Sequence, residues 1–304
     1  MLTKRNVVTS LLTVIAFHLP ALCFAQGATD RVKVVATFSI LGDLVGQVGG
    51  DRIELATLVG PDGDAHVYSP TPADARRLAE AKVVFTNGLR FEGWIARLIK
   101  SSGTKAVIVE ASRGVKALKV EEEHGHGHAG IDPHAWQNIA NAKLYVAAIR
   151  DALVGLDAAG RTAYEANATK YLKALDELEA EVKTTVARIP ADRRRVITSH
   201  DAFRYFEAAY GLDFIAPQGV STEAEASAKD VARIIQQIRR EKIPAIFIET
   251  LSDPRLIERI AKETGAKVGK KVYSDSLSAP GGSAATYIDM MRHNIRAFSA
   301  ALSS

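Results

Sequence analysis

Apolar positions along the chain fall into short runs separated by longer amphipathic stretches. Residues 32–38 (VKVVATF), 53–59, 83–86 and 106–110 read as strands. Between them lie a helical pattern through Leu41, Leu44 and Val45, a helix over 72–81 opened by Pro72, and a helix over 94–99. Strands alternating with helices predict a parallel α/β sheet. Residues 114–134 break the alternation with a polar, glycine-rich, low-complexity loop carrying Glu121 to Glu123 and then His124, His126 and His128. A long helical region follows, in which Tyr164, Ala168, Tyr171, Leu175, Leu178, Val182 and Val186 recur at helical spacing. No Gly or Pro interrupts it between Gly160 and Pro190, which allows a rod of roughly 40 Å. A second α/β series begins directly after it, so a rigid connector is preferred to an ordinary surface helix. That series runs strand 196–199, helix 202–210, strand 214–216, helix 228–240, strand 245–249, helix 255–264, strand 271–274 and helix 284–302. The expected fold class is α/β: two α/β lobes with mainly parallel sheets joined by a long rigid helix. The expected division is a signal peptide over 1–25, an N-terminal lobe over 26–157 with its His-rich loop at 121–129, a linker helix over 158–190 and a C-terminal lobe over 191–304.

Composition narrows the function. The 304 residues are 47% hydrophobic and 24% charged with a net charge of +4, a globular balance that excludes disorder as the state of the whole chain. The Lys and Arg excess is spread out, and Arg193-Arg194-Arg195 reads as a solvated turn, so no nucleic-acid partner is expected. At the N-terminus, Lys4 and Arg5 precede an apolar run to Leu22, and Cys23-Phe24-Ala25 offers small residues at a cleavage position. This reads as a secretory signal cut after Ala25, placing the mature protein in the periplasm. A membrane anchor is disfavoured because Ser10, Thr13, His18 and Pro20 interrupt the run, and a lipoprotein signal because Leu22 precedes the cysteine. Cys23 is the only cysteine, so the mature chain has no thiolate for catalysis or zinc ligation.

The candidate chemistry sits where loops leave strands, the edge at which open α/β sheets bind ligands. His66 lies in the loop after 53–59, His200 ends 196–199 and Asp275 follows 271–274. His134 follows Asp132-Pro133, where Asp132 can cap the next helix and Pro133 take its first position. Two come from each lobe, so one metal between the lobes could collect all four. The spacings are long, and by themselves leave a shared site open.

Several stretches then resemble the periplasmic metal-binding components of zinc and manganese ABC importers. They are His66-Val-Tyr-Ser-Pro-Thr-Pro-Ala-Asp74, Asp132-Pro133-His134-Ala-Trp136, Ser199-His200-Asp201-Ala202-Phe203 and Tyr273-Ser274-Asp275-Ser276-Leu277. Asn87-Gly88 with Glu92 and Trp94, and the run 219–227, resemble the family too. The likeness covers essentially the whole mature chain in order. It implies two α/β lobes joined by a rigid helix, one metal at the lobe interface, and His66, His134, His200 and Asp275 as its ligands. It also implies a membrane permease as partner, leaves room for a periplasmic metallochaperone, and fits a monomer.

Three imidazoles and one carboxylate suit tetrahedral Zn²⁺, one per chain. Mn²⁺ favours oxygen-rich sites and stands below Zn²⁺ in the Irving–Williams order, so zinc is the expected cargo, with manganese or a mixed Zn/Mn/Fe site as the alternative. Manganese-selective relatives often place a carboxylate where this chain has His200, and zinc-uptake members often carry more loop histidines. Four protein ligands leave no open position for an activated water, so a carrier is expected rather than an enzyme. The enzyme alternative is a metallohydrolase with Asp275 or Glu249 as base, but the chain has neither H-E-x-x-H nor G-x-S-x-G. A periplasmic zinc buffer or adhesin also stays open. Glu249 reads either as a carboxylate supporting a ligand imidazole or as an ordinary strand end. His124, His126 and His128 read either as an accessory zinc-capturing arm or as an exposed solubilising loop.

Overall fold

The computed structural model describes residues 31–120 and 130–303. The signal segment 1–25 with its cut after Ala25, and His124, His126 and His128, lie outside the described residues.

β1 (Val32–Phe38) is buried over its last five residues and runs straight into α1 (Ser39–Gly49). β2 (Ile53–Val59), α2 (Pro72–Glu80), β3 (Val83–Thr86), α3 (Ile95–Ser102) and β4 (Val107–Glu110) complete the first series. Its strands are all parallel in the order β2-β1-β3-β4. β1 and β3 are the central pair, covered on both faces, which is why VKVVATF and VVFT are almost continuous apolar runs. α2 starts on a capping box in which Thr71 and Asp74 satisfy each other's backbone donors, with Pro72 behind the cap.

Two elements depart from the sequence reading of the middle of the chain. β5 (Lys119–Val120) and β6 (Gly130–Ile131) form a short antiparallel pair inside the stretch expected to be loop. α4 (Ile139–Leu156) is a full helix that periodicity did not separate, because alanines stand between its apolar residues and blur the stripe. α5 (Arg161–Ala187) follows, 27 residues long and so about 40 Å.

The second series is β7 (Arg195–Ile197), α6 (Arg204–Tyr210), β8 (Asp213–Ile215), α7 (Ala228–Glu241), β9 (Ala245–Ile246), α8 (Pro254–Thr264), β10 (Lys267–Val268) and α9 (Tyr287–Leu302). Its sheet is also parallel, in the order β10-β9-β7-β8. The last strand lies at Lys267–Val268 rather than over 271–274; of that expected strand, Val272 keeps a single bridge to Glu249. Gly269 N–H still donates to Ile246 O (2.8 Å). It passes against the Phe247 ring, and a Cβ there would sit 2.3 Å from a ring carbon.

One apolar core spans most of the molecule. It runs from the first sheet through Leu44, Tyr145, Leu175, Leu178, Met290 and Phe298 to Val196, Ala245 and Phe247 of the second sheet. α5 packs against α1, α4 and α9, so it is clamped along its length rather than bridging open solvent. A second, smaller core of Ile197, Ile234, Ile246, Ile257 and Ile260 lies under α7 and α8. Polar ties join the lobes as well. Asp62 N–H donates to Leu277 O (2.9 Å), Leu277 N–H to Ser39 Oγ (3.0 Å) and Tyr287 N–H to Asp43 Oδ2 (2.8 Å). Among the described residues no helix is long and apolar enough to cross a membrane.

A shared core predicts shared unfolding. Leu175→Ala, in the fully buried face of α5, should remove about 2–5 kcal/mol and lower the thermal midpoint of one transition. Circular dichroism and tryptophan fluorescence followed together check this; two separate transitions, only one of them shifted, would contradict it.

Candidate metal centre

Both sheets turn their carboxyl ends toward the same place. The loop after β2 carries His66, the turn after β6 carries His134, the end of β7 carries His200, and the segment after β10 carries Asp275. One ligand-type atom from each of these four lies within 4.8 Å of all the others. His66 is 7% exposed and the other three at most 1%.

All three imidazoles present Nε2. His66 Nε2 and His134 Nε2 are 3.3 Å apart. Asp275 Oδ2 lies 3.0 Å from His200 Nε2 and 3.4 Å from His66 Nε2, and Oδ1 lies 3.5 Å from His134 Nε2. A tetrahedral ion with bonds of about 2.0–2.1 Å sets its donors about 3.3 Å apart, so these separations fit one small cation at the centre. Neither Asp275 oxygen receives a hydrogen bond from a described residue outside the cluster.

Two of the imidazoles are held from behind. His134 Nδ1 lies 2.8 Å from Asp132 Oδ1, which also accepts the His134 backbone N–H (2.9 Å). Asp132 therefore does not cap a helix, contrary to expectation. A 3₁₀ turn over Ala135–Gln137 follows, and α4 is capped by Asn138. The two-residue spacing that lets an aspartate turn back on its own loop was the available signal. His200 Nδ1 lies 2.5 Å from Glu249 Oε2, while Glu249 Oε1 accepts the N–H groups of Ser199 (2.8 Å) and His200 (2.9 Å). His66 is held through its backbone. Its N–H donates to Asp64 Oδ1 (2.8 Å), Trp94 Nε1 donates to Ala65 O (2.8 Å), and Thr222 of the second lobe donates to Asp64 Oδ2 (2.7 Å). Trp136 Nε1 and Gln137 Nε2 both donate to Ser274 O, tying the His134 loop to the segment of Asp275. Phe91 and Trp136 wall the site, the Phe91 ring edge-on to His66 at 4.6 Å between centroids. His293 is half-buried on α9 and meets Lys271 O at 2.8 Å, outside this cluster.

Burial opposes charge on His200, but the carboxylates of Glu249 and Asp275 outweigh it and hold the imidazole pKa well above its ordinary value. Burial likewise opposes charge on Asp275, and His200 and His134 hold its carboxyl well below the usual range. The His200 contribution to stability is present below about pH 6.5 and lost as pH rises through its raised folded value. The Asp275 contribution is present above about pH 3.9 and lost as pH falls through its lowered one.

Residues 34–301 match the family described as zinc-uptake complex component A, periplasmic. The manganese-binding lipoprotein MntA of Halalkalibacterium halodurans is 35% identical over 274 residues, covering 90% of this chain and 89% of that protein. Among solved structures, the periplasmic zinc binding protein TroA from Treponema pallidum superposes with a TM-score of 0.85 at 30% identity, over 90% of this chain and all of that one. A Mn-bound periplasmic metal binding protein from Candidatus Liberibacter asiaticus superposes with a TM-score of 0.80 at 29% identity, over 90% and 99%. The chain belongs to this family of metal-binding substrate-binding proteins of ABC importers. It is a solute-binding component that works with a membrane permease, and not an enzyme.

Metal ligation needs neutral imidazole, and Glu249 and Asp275 raise the His200 pKa, favouring its charged form. Loading near neutral pH should therefore release protons. Calorimetry in two buffers of different ionisation heat measures this, and a buffer-independent heat would contradict it.

Proposed function

We propose that this chain is a periplasmic carrier of one first-row divalent ion, with His66, His134, His200 and Asp275 as its ligands, and that the site accepts Mn²⁺ as well as Zn²⁺. The observation that carries the reading is the convergence of three buried Nε2 atoms and one buried carboxylate within 4.8 Å. The expectation of zinc alone gives way to a mixed site for two reasons. The similar proteins include a manganese-binding lipoprotein, a zinc binding protein and a Mn-bound structure. Asp275 also turns both oxygens toward the histidines. One oxygen completes a closed N₃O set for zinc, and both together give N₃O₂ for an ion that takes more, oxygen-rich ligands. Zinc still binds tighter on any given N/O set.

The exported chain, cut after Ala25, would hold the ion between an N-terminal lobe (26–157) and a C-terminal lobe (191–304) with the 158–190 helix between them. The core shared by both sheets resists a wide hinge motion, so rearrangement of the ligand loops would release the ion to the permease. Protons compete with the ion for the imidazoles, at His200 to higher pH than for an ordinary imidazole, so acid weakens the grip.

Metal content by mass spectrometry tests this on mature protein purified metal-free. With equimolar Zn²⁺ and Mn²⁺ it should retain one zinc per chain, and with Mn²⁺ alone one manganese. Failure to retain manganese would restore a zinc-only carrier; no stoichiometric metal would mean that the four side chains are not a site. His134→Ala should weaken binding beyond the roughly 10–100-fold typical of losing an outer-shell partner, and Asp275→Ala less sharply. Unchanged affinity in His134→Ala would remove that residue from the site.

A further inference from the structure

The segment 87–92, between β3 and α3, touches the metal centre but holds none of its four ligands. Its backbone is unusual. Gly88 (φ +81°), Leu89 (φ +53°) and Arg90 (φ +65°) are left-handed in succession, a conformation that L side chains oppose and that persists only where surrounding structure enforces it. The enforcing group is Glu92, whose side chain is buried. Its Oε1 accepts the Asn87 N–H (2.6 Å) and the hydroxyl of Thr37 near the end of β1 (2.5 Å), while Phe91 N–H donates to Gly88 O (3.1 Å). Burial pushes the Glu92 carboxyl up to about 7, against the pull of those donors.

The turn delivers two groups to the site. Phe91 sets its ring edge-on to His66. The Asn87 carboxamide, fully buried, is oriented by the Tyr145 hydroxyl of α4, which donates to Oδ1 (2.7 Å), and its Nδ2 donates to Gly88 O (3.0 Å) and Pro133 O (2.9 Å). Pro133 immediately precedes His134. Asp132 fixes the His134 ring relative to its own loop, whereas Asn87 ties that loop to the first sheet.

We infer that Glu92 and Asn87 are positioning residues for the metal site: the Glu92 side chain locks the left-handed turn, and the Asn87 carboxamide held there fixes the Pro133 carbonyl and so the placement of the His134 imidazole. This rests on the reading of His134 as a ligand. The turn sets the geometry of the donor set without touching the ion.

Co²⁺ is the probe, because its visible bands report coordination geometry at saturation as well as affinity in titration. Asn87→Asp removes the donor to Pro133 O, and should raise the Co²⁺ and Zn²⁺ dissociation constants about tenfold or more and change the band intensities of the saturated protein. Tyr145→Phe keeps the ring in the core and deletes the hydroxyl that orients Asn87, together with its contact to Ser112. It should move both readouts in the same direction by a smaller factor, and it decides the matter if Asn87→Asp does not fold. Glu92→Gln retains an acceptor for Asn87 and Thr37 but sets an amide where Gly88 and Glu92 N–H groups also donate, and should change spectrum and affinity less than Glu92→Ala. Wild-type spectra and affinities in folded Asn87→Asp or Tyr145→Phe protein would overturn the inference, as would equal damage from Glu92→Gln and Glu92→Ala. Failure of the wild-type protein to bind Co²⁺ or Zn²⁺ would instead sink the carrier reading beneath it.

Discussion

Asp275 is a fully buried carboxylate whose neighbours are three imidazole nitrogens, and the rest of the molecule is organised around keeping that arrangement in place. Neutral imidazoles do not gather Nε2 to Nε2 by themselves, because their lone pairs face one another. A buried carboxylate is expensive unless something compensates its charge. Against that burial, His200 and His134 hold the Asp275 carboxyl well below its ordinary range, and a divalent ion would compensate its charge more fully.

The donors are placed by anchors behind them and by the core behind the anchors. Asp132 and Glu249 hold two imidazoles by Nδ1, and the Asp64 carboxylate holds the His66 backbone while reaching Thr222 across the lobes. Ser274 O accepts from both Trp136 and Gln137, so two of the four donor segments cannot move independently. Behind them α1, α4, α5 and α9 pack into one core with both sheets. A binding protein with two separately packed lobes can open like a jaw. This one is joined through its middle, which leaves the loops at the sheet ends as the parts with freedom to change.

Much of this was legible in the chain, and the losses have physical reasons. The positions of His66 and His200 in loops after strands followed from apolar runs and turn chemistry, and α5 from a long stretch without Gly or Pro, whereas Asp275 was placed after a strand over 271–274 of which only a bridge at Val272 exists. α4 was lost because alanine blurs a helical stripe, and β10 because a two-residue strand beside Gly269 leaves almost no alternating pattern. The role of Asp132 was misread because an aspartate before a proline signals a helix cap as readily as a turn that grips its own histidine. Asn87 and Glu92 stood out only as part of a resemblance; what they do depends on a backbone conformation that no local pattern announces. The choice of ion was least legible, since one donor set with a carboxylate that faces the histidines with both oxygens suits more than one metal.

The central claim is that the four side chains close on a single ion. X-ray absorption at the zinc edge of the loaded mature protein tests it most directly. The account predicts a first shell of nitrogen and oxygen near 2.0–2.1 Å, with outer-shell scattering from three imidazoles and no sulfur. An oxygen-dominated shell with one imidazole or none would contradict it, because the ion would then be held by water or by other carboxylates and the convergence of His66, His134, His200 and Asp275 would have another cause.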